Sequence, residues 1–217
     1  MNYNVTALIP AYNEENTITE VIDACMDCSY VNEVIVIDDG SADKTAEVSK
    51  SHGAKVIRMN ENSGKAMALF VGAKESKNDI LLLLDADLIG LDKNHVFSLI
   101  LPVLQSSNCS TIGIFKNGRI VTDLAHHVTP QLSGQRCIPK SILLSLEDKC
   151  DVGYGIEISI NRKLKRRGFN IEKVKLECVT HLTKEEKKKL HSTQVESKKR
   201  IEMYKDIFKE ITSKKES

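Results

Sequence analysis

Two carboxylates at the end of an apolar run are the sharpest chemical feature of this sequence. Ile80–Leu84 leads into Asp85-Ala86-Asp87, and two acids at a strand end need a partner or solvent to offset their desolvation. A hard divalent cation suits them, because magnesium takes one or two protein carboxylates and completes its octahedron with phosphate oxygens and water. Bridging a diphosphate, such a cation acts as a Lewis acid and stabilises charge on a leaving group. A lone triplet of this kind is weak evidence, since paired aspartates at strand ends are common.

Three other polar clusters strengthen it. Pro10-Ala11-Tyr12-Asn13-Glu14-Glu15 follows one apolar run, Asp38-Asp39-Gly40-Ser41 closes a second, and Asn60-Glu61-Asn62-Ser63-Gly64-Lys65 follows a third. Taken singly, each reads as a turn or a helix start. Open parallel sheets, however, bind ligands at the carboxyl ends of their strands, and four such loops on one edge define a crevice.

The elements that must position these loops are legible from periodicity. Val5–Ile9, Val34–Asp38, Val56–Met59 and Ile80–Asp85 read as strands covered on both faces, being apolar with little alternation. Between them, Glu15–Cys28, Ala42–His52 and Ser63–Ser76 read as helices, with Gly53 placed to end the second. That order predicts right-handed crossovers and a mostly parallel sheet in an α/β fold. Further along, Asn94–Leu104, Ile142–Leu146 and Gly155–Arg167 are expected as helices and Phe169–Cys178 as a strand. Thr111–Phe115 and Ile120–Thr122 are expected to form a hairpin around Asn117-Gly118. Lys184–Ile211 is expected as a charged helix whose Ile201, Tyr204, Phe208 and Ile211 share one stripe. Docking of that stripe on the body of the protein is the first reading, and a homodimer contact is the second.

The segments LIPAYNEE, VIDDGSAD, NSGKAMAL and LLLLDADL occur in the order and at the spacing of family-two glycosyltransferases. Over roughly its first 90 residues the chain resembles that family. The resemblance implies a GT-A fold: a mostly parallel, Rossmann-like central sheet flanked by helices, here with a C-terminal helix. It implies a metal-dependent hexosyltransferase that draws on a nucleotide-diphosphate sugar, with UDP and glucose preferred. By motif, Pro10, Ala11, Tyr12 and Glu14 would line the nucleoside pocket, with Asp39 at the base edge. Gly64 and Lys65 would lie near the ribose or phosphates, Asp85 and Ala86 on the ribose side, and Asp87 would be the direct ligand of Mg2+ or Mn2+.

A more distant likeness runs through the second half. Ser133-Gly134-Gln135-Arg136, Gly153-Tyr154-Gly155-Ile156-Glu157 and His181 occur in the order seen in glucosyl-3-phosphoglycerate synthase-type enzymes. It implies that Ser133, Gly134, Gln135, Arg136 and Tyr154 hold the acceptor and that His181 is a second metal ligand; an imidazole suits manganese in particular. A lone histidine after a strand is otherwise a packing or surface residue. Glu157 is the candidate base for inverting transfer. An orienting role towards sugar hydroxyls in retaining transfer and simple helix N-terminal electrostatics are the other readings. Family members often carry Glu-Asp at this point, and this chain has only Gly-Ile-Glu. Adjacent His126 and His127 would face opposite ways on a strand, so neither is assigned.

Composition bounds the alternatives. At 217 residues, 41% hydrophobic and 28% charged, the chain suits one folded domain. Residues 1–182 are expected to be that domain, with a nucleotide-binding half over 1–90 and an acceptor half over 91–182. Residues 183–217 would pack on it as the charged helix. No run approaches the roughly 20 apolar residues of a membrane span, and the N-terminus lacks a signal-peptide pattern, so a cytoplasmic location is expected. Of six cysteines only Cys25 and Cys28 are close together, inside a helix, which favours buried reduced thiols over zinc or redox chemistry.

From Arg162 onward, 18 basic side chains face 9 acidic ones, leaving 13 basic against 21 acidic before it. A solvated helix face is the first reading, and no nucleic-acid partner is expected. Arg136 and the cluster Arg162 to Arg167 would suit an acceptor bearing phosphate, either a small metabolite or a lipid-linked phosphate reached by peripheral membrane contact. A dehydrogenase fails for want of Gly-X-Gly-X-X-Gly after the first strand. A sugar nucleotidyltransferase would need a Gly-rich, Arg-containing loop there, which is missing. A catalytically silent relative that binds nucleotide sugars is the main alternative, and the sugar nucleotidyltransferase the lesser one.

Overall fold

Apolar residues on the central strands alternate between two packed layers, which explains why the strands show no polar face. The computed structural model describes residues 4–116, 133–147 and 155–181. Its strands are β1 (Val5–Ala11), β2 (Val31–Asp38), β3 (Lys55–Arg58), β4 (Ile80–Leu83), β5 (Leu88–Ile89), β6 (Cys109–Lys116), β7 (Arg136–Pro139), β8 (Asn170–Glu177) and β9 (Thr180–His181). Its helices, renumbered in chain order, are α1 (Ile18–Met26), α2 (Thr45–Ser51), α3 (Lys65–Glu75), α4 (Lys93–Gln105), α5 (Lys140–Leu144) and α6 (Ile156–Arg166).

Seven strands form one sheet in the order β3-β2-β1-β4-β7-β6-β8, and β5 pairs with β9 in a small second sheet. The pairings β1–β2, β1–β4, β2–β3 and β6–β8 are parallel; β7 is antiparallel to both its neighbours, β4 and β6. Val5, Ala7 and Ile9 of β1 with Val34 and Val36 of β2 join α1 and α4 in one core. Leu8, Ile35, Ile37, Leu81 and Leu83 face the other way and join α3, α5 and α6 in the second. Burying a Leu, Ile or Val from both faces contributes about 1.5–3 kcal/mol per side chain, so the sheet is the stiff platform on which the loops stand.

The helix starts differ from those expected, for one shared reason. Backbone N–H groups that would open α1 are taken by side chains of the β2–α2 loop: Asn13 N donates to Ser41 Oγ (2.9 Å), Glu14 N to Thr45 Oγ1 (2.8 Å) and Glu15 N to Asp43 Oδ2 (3.2 Å). In return Asn13 Oδ1 accepts from Ala42 N at 2.8 Å, and Asn13 adopts φ 56°. The first two loops are thereby stitched together before either helix begins. Likewise α3 starts at Lys65 because the Ser63 and Gly64 N–H groups donate to Asp39, both at 2.8 Å.

Strand β7 was not expected. It is only four residues, Arg-Cys-Ile-Pro, and carries a charge at one end and proline at the other. The expected hairpin partner Ile120–Thr122, the adjacent His126 and His127, Tyr154 and the Lys184–Ile211 helix lie outside the described residues. Among the described residues no helix is long and apolar enough to cross a membrane, and Cys25, Cys28, Cys109, Cys137 and Cys178 are free thiols.

Candidate active site

At the carboxyl edge of β1, β2 and β4 the loops enclose a cleft of about 330 Å³. It is lined by Pro10, Ala11, Tyr12, Glu14, Asp39, Lys65, Asp85, Ala86, Asp87 and His181. The β1–β2 register sets Ala11 beside Asp38, and Leu84 N donates to Leu8 O at 3.1 Å, so the first, second and fourth loops emerge side by side. Tyr12 lines the cleft with about half its surface exposed.

Asp39 is buried, and its two oxygens accept from the Ser63 and Gly64 N–H groups. It therefore shapes the loop that presents Lys65. Each of its oxygens retains further acceptor capacity, and the residue lines the cleft.

His181 reaches the cleft through a two-residue ladder. β5 and β9 pair antiparallel, with Leu88 opposite His181, so the imidazole arrives one residue beyond Asp87 despite 93 residues of intervening chain. Gly90 permits this approach, since a Cβ there would meet Cys178 O at 2.6 Å.

The charged centre of the site is Lys65. Its ammonium lies 2.6 Å from Asp85 Oδ1 and 2.8 Å from Glu157 Oε1, joining the start of α3 to the end of β4 and the first turn of α6. Burial alone would lower the Lys65 pKa, but Asp85 and Glu157 more than offset that and hold it above its ordinary value. Burial likewise pushes the Asp85 carboxyl up, and the Lys65 charge with hydrogen bonds from Lys65 and Gln135 brings it below the usual range. Both groups stay charged at neutral pH.

Behind this centre the segment Ser133–Arg136 is turned inward. Gln135 Nε2 donates to Asp85 Oδ2 at 2.7 Å, and Ser133 Oγ donates to Gln135 Oε1 at 2.7 Å. Gly134 lies against the same groups: a Cβ there would sit 2.6 Å from both Asp85 Oδ2 and Lys65 Nζ. Arg136 is only 1% exposed. Its guanidinium donates to Ser133 O, to Glu157 O at 3.4 Å and to Asn161 Oδ1 at 3.1 Å. Burial draws its pKa down to about 10, against the opposing pull of Glu157 and Asp85, and it remains a cation.

Arg136, expected at the acceptor, is turned inward, and its fork is spent on internal carbonyls. Asn161 escaped the sequence reading altogether. A signal was present: a polar residue set among the buried positions Ile156, Ile160 and Leu164 of α6. Among the exposed basic residues, Arg162, Lys165, Arg166 and Arg167 lie on α6 or at its end.

The donor set around Asp87 suits a divalent cation. Lining carboxylates Glu14, Asp39, Asp85 and Asp87 outnumber the single ammonium of Lys65, so a diphosphate meets net repulsion there unless a cation joins it. Asp87 oxygen and His181 nitrogen are donors that manganese or magnesium accepts. Among the described residues no three His, Cys, Asp or Glu side chains close around one point.

The parallel platform, the antiparallel β7 within it and the edge cleft define a GT-A fold. Residues 6–163 match the model of glycosyl transferase family 2, and the chain belongs to that family. It is similar in structure to glucosyl-3-phosphoglycerate synthase from Mycobacterium tuberculosis, solved with Mn2+, UDP and glucosyl-3-phosphoglycerate. The TM-score is 0.69 at 28% identity, covering 84% of this chain and 73% of that one. The same synthase solved with Mg2+ and UDP matches with the same TM-score. Among curated relatives, 4,4'-diaponeurosporenoate glycosyltransferase of Staphylococcus haemolyticus is 36% identical over 104 residues, 45% of this chain. Undecaprenyl-phosphate 4-deoxy-4-formamido-L-arabinose transferase of Pseudomonas aeruginosa is 34% identical over 94 residues, 39% of this chain. The match spans only 28% of the length of either relative.

Proposed function

We propose that the protein is a glycosyltransferase that moves a hexose from a UDP-linked donor, with Mg2+ or Mn2+, to an acceptor bearing phosphate. The observation that carries this reading is the meeting of Asp85, Asp87, Lys65 and His181 in one acidic cleft at the carboxyl edge of the sheet. The site's surplus of carboxylates supports a cation-bridged diphosphate over a bare anion. When bound, the cation supplies positive charge to the departing diphosphate.

In this reading Tyr12 and Asp39 receive the nucleoside, Asp85 faces the ribose side, and Asp87 with His181 would hold the cation. Lys65 adds a second positive charge beside the phosphates. The bond from the sugar's anomeric carbon to the diphosphate breaks with its electron pair leaving on oxygen. A new bond forms from the acceptor oxygen to that carbon, and the acceptor's proton passes to Glu157 or to the departing diphosphate. Glu157, fixed beside Lys65, orients the donor sugar or the acceptor hydroxyl. The exposed basic residues of α6 support a phosphate on the acceptor. The acceptors of similar proteins suggest two sources, a small phosphorylated acid and a polyprenyl phosphate.

Release of UDP from UDP-glucose tests this reading, with 3-phosphoglycerate in one arm and undecaprenyl phosphate in vesicles in the other. Acceptor-stimulated release that stops with chelator and in Asp87→Asn is the expected result. Binding of UDP without release from any donor would instead identify a silent nucleotide-sugar-binding relative.

A further inference from the structure

We propose that Gln135 is a positioning residue that aims the Asp85 carboxylate into the cleft, with Ser133 as its clamp. The inference rests on the donor reading above. Gln135 is 2% exposed and is not among the residues lining the cleft, so it acts on a ligand only through Asp85.

Three observations carry it. First, both ends of the Gln135 amide are committed: Oε1 accepts from Ser133 Oγ at 2.7 Å, and Nε2 donates to Asp85 Oδ2 at 2.7 Å. An amide flip would bring its NH2 group against the Ser133 hydroxyl and its carbonyl against a carboxylate, so the Asp85 contact fixes the orientation. Second, Asp85 is held from two sides, by Lys65 at Oδ1 and Gln135 at Oδ2. Two donors on different oxygens set the rotation of the carboxylate plane, which one flexible lysine cannot do. Third, the clamp is seated on a buried cation: Arg136 binds Ser133 O and, from the same guanidinium, Glu157 O and Asn161 Oδ1. The first turn of α6 and the Ser133–Gln135 turn therefore share one anchor.

Positioning of this kind gives a signature that a merely structural glutamine lacks. Removing Gln135 should cost donor affinity only while Asp85 is present. The test is calorimetric binding of UDP with Mn2+ to wild type, Gln135→Met, Asp85→Ala and the double variant. Each single variant is expected to bind about tenfold more weakly, and the double variant no more weakly than Asp85→Ala alone. Penalties that multiply to about 100-fold in the double variant would overturn the proposal. Ser133→Ala keeps the glutamine and unclamps it. It is expected to weaken binding about threefold in the wild-type background and not in Asp85→Ala, and it decides the matter if Gln135→Met does not fold.

A donor-free readout runs beside this. The Gln135 side-chain amide should give a slowly exchanging resonance in the wild type that becomes solvent-like in Asp85→Ala, and a solvent-like amide in the wild type would contradict the proposal. A wild-type protein that binds no UDP with Mn2+ overturns the donor reading and this one together, whereas binding with multiplicative penalties overturns this one alone.

Discussion

Lys65 and Glu157, 92 residues apart in the chain, meet at 2.8 Å between Nζ and Oε1. Through this contact the half of the protein that carries the sheet-edge loops touches the half that carries α6. The same ammonium holds Asp85 at 2.6 Å. Replacing Lys65 with methionine leaves two carboxylates facing each other across the centre of the site. UDP release from UDP-glucose should fall about 100-fold or more, the scale seen when one preorganised charge donor is removed from a transition state. A fall of less than about threefold in kcat would place Lys65 outside the chemistry.

Gly134 has little room to change. A methyl group there would sit 2.6 Å from the carboxylate of Asp85 and from the ammonium of Lys65. Both are side-chain ends, so they can move aside and the fold should survive, with a Tm within a few degrees of wild type. Donor affinity should fall roughly tenfold, as the two groups are displaced from their paired positions. Calorimetry and a thermal melt on Gly134→Ala separate the two effects.

Arg136 should matter for stability more than its charge suggests. Its removal takes a charged hydrogen-bond donor away from Ser133 O, Glu157 O and Asn161 Oδ1. Hydrogen bonds from a charged group contribute about 1.5–3 kcal/mol each, and relaxation or water recovers part of that, so Arg136→Met should destabilise by roughly 3 kcal/mol. Urea unfolding checks this through a lower midpoint with an unchanged slope.

Burial, reinforced by Cys28, raises the Cys25 thiol well above its ordinary value. The unfolded chain loses this proton near pH ~8.5 while the folded chain keeps it. The contribution to stability is therefore intact below that pH and is lost as pH rises towards the folded value. Urea midpoints should fall between pH 8 and 10, and Cys25→Ala should flatten that fall. A thiol reagent at pH 8 should leave Cys25 unmodified in the native protein.

The cleft was legible in the sequence because its residues sit where strands end, and strand ends are marked by the change from apolar runs to Asp, Asn, Gly and Pro. Pro10, Asp39, Lys65 and Asp85 follow from that rule, and the sheet brings all four to one edge. His181 needed a resemblance, since a two-residue ladder leaves no periodicity to read. The inward turn of Ser133–Arg136 was not legible: nothing in the order Ser-Gly-Gln-Arg tells whether an arginine faces solvent or core. That depends on β7 lying between β4 and β6, with α6 behind it. Loop-to-loop bonds such as Asn13 with Ser41 and Ala42 were hidden for the same reason, because they join residues about 29 positions apart.

In the proposed function the acidic cleft takes a nucleoside diphosphate through a cation held at Asp87. Calorimetric titration of UDP and GDP into the wild type and Asp87→Asn, each with Mn2+ and with chelator, tests it directly. UDP binding that requires Mn2+ and is lost in Asp87→Asn, while the variant remains folded, is the expected result. Binding that is indifferent to chelator and to Asp87, or no binding of either nucleotide, would contradict it.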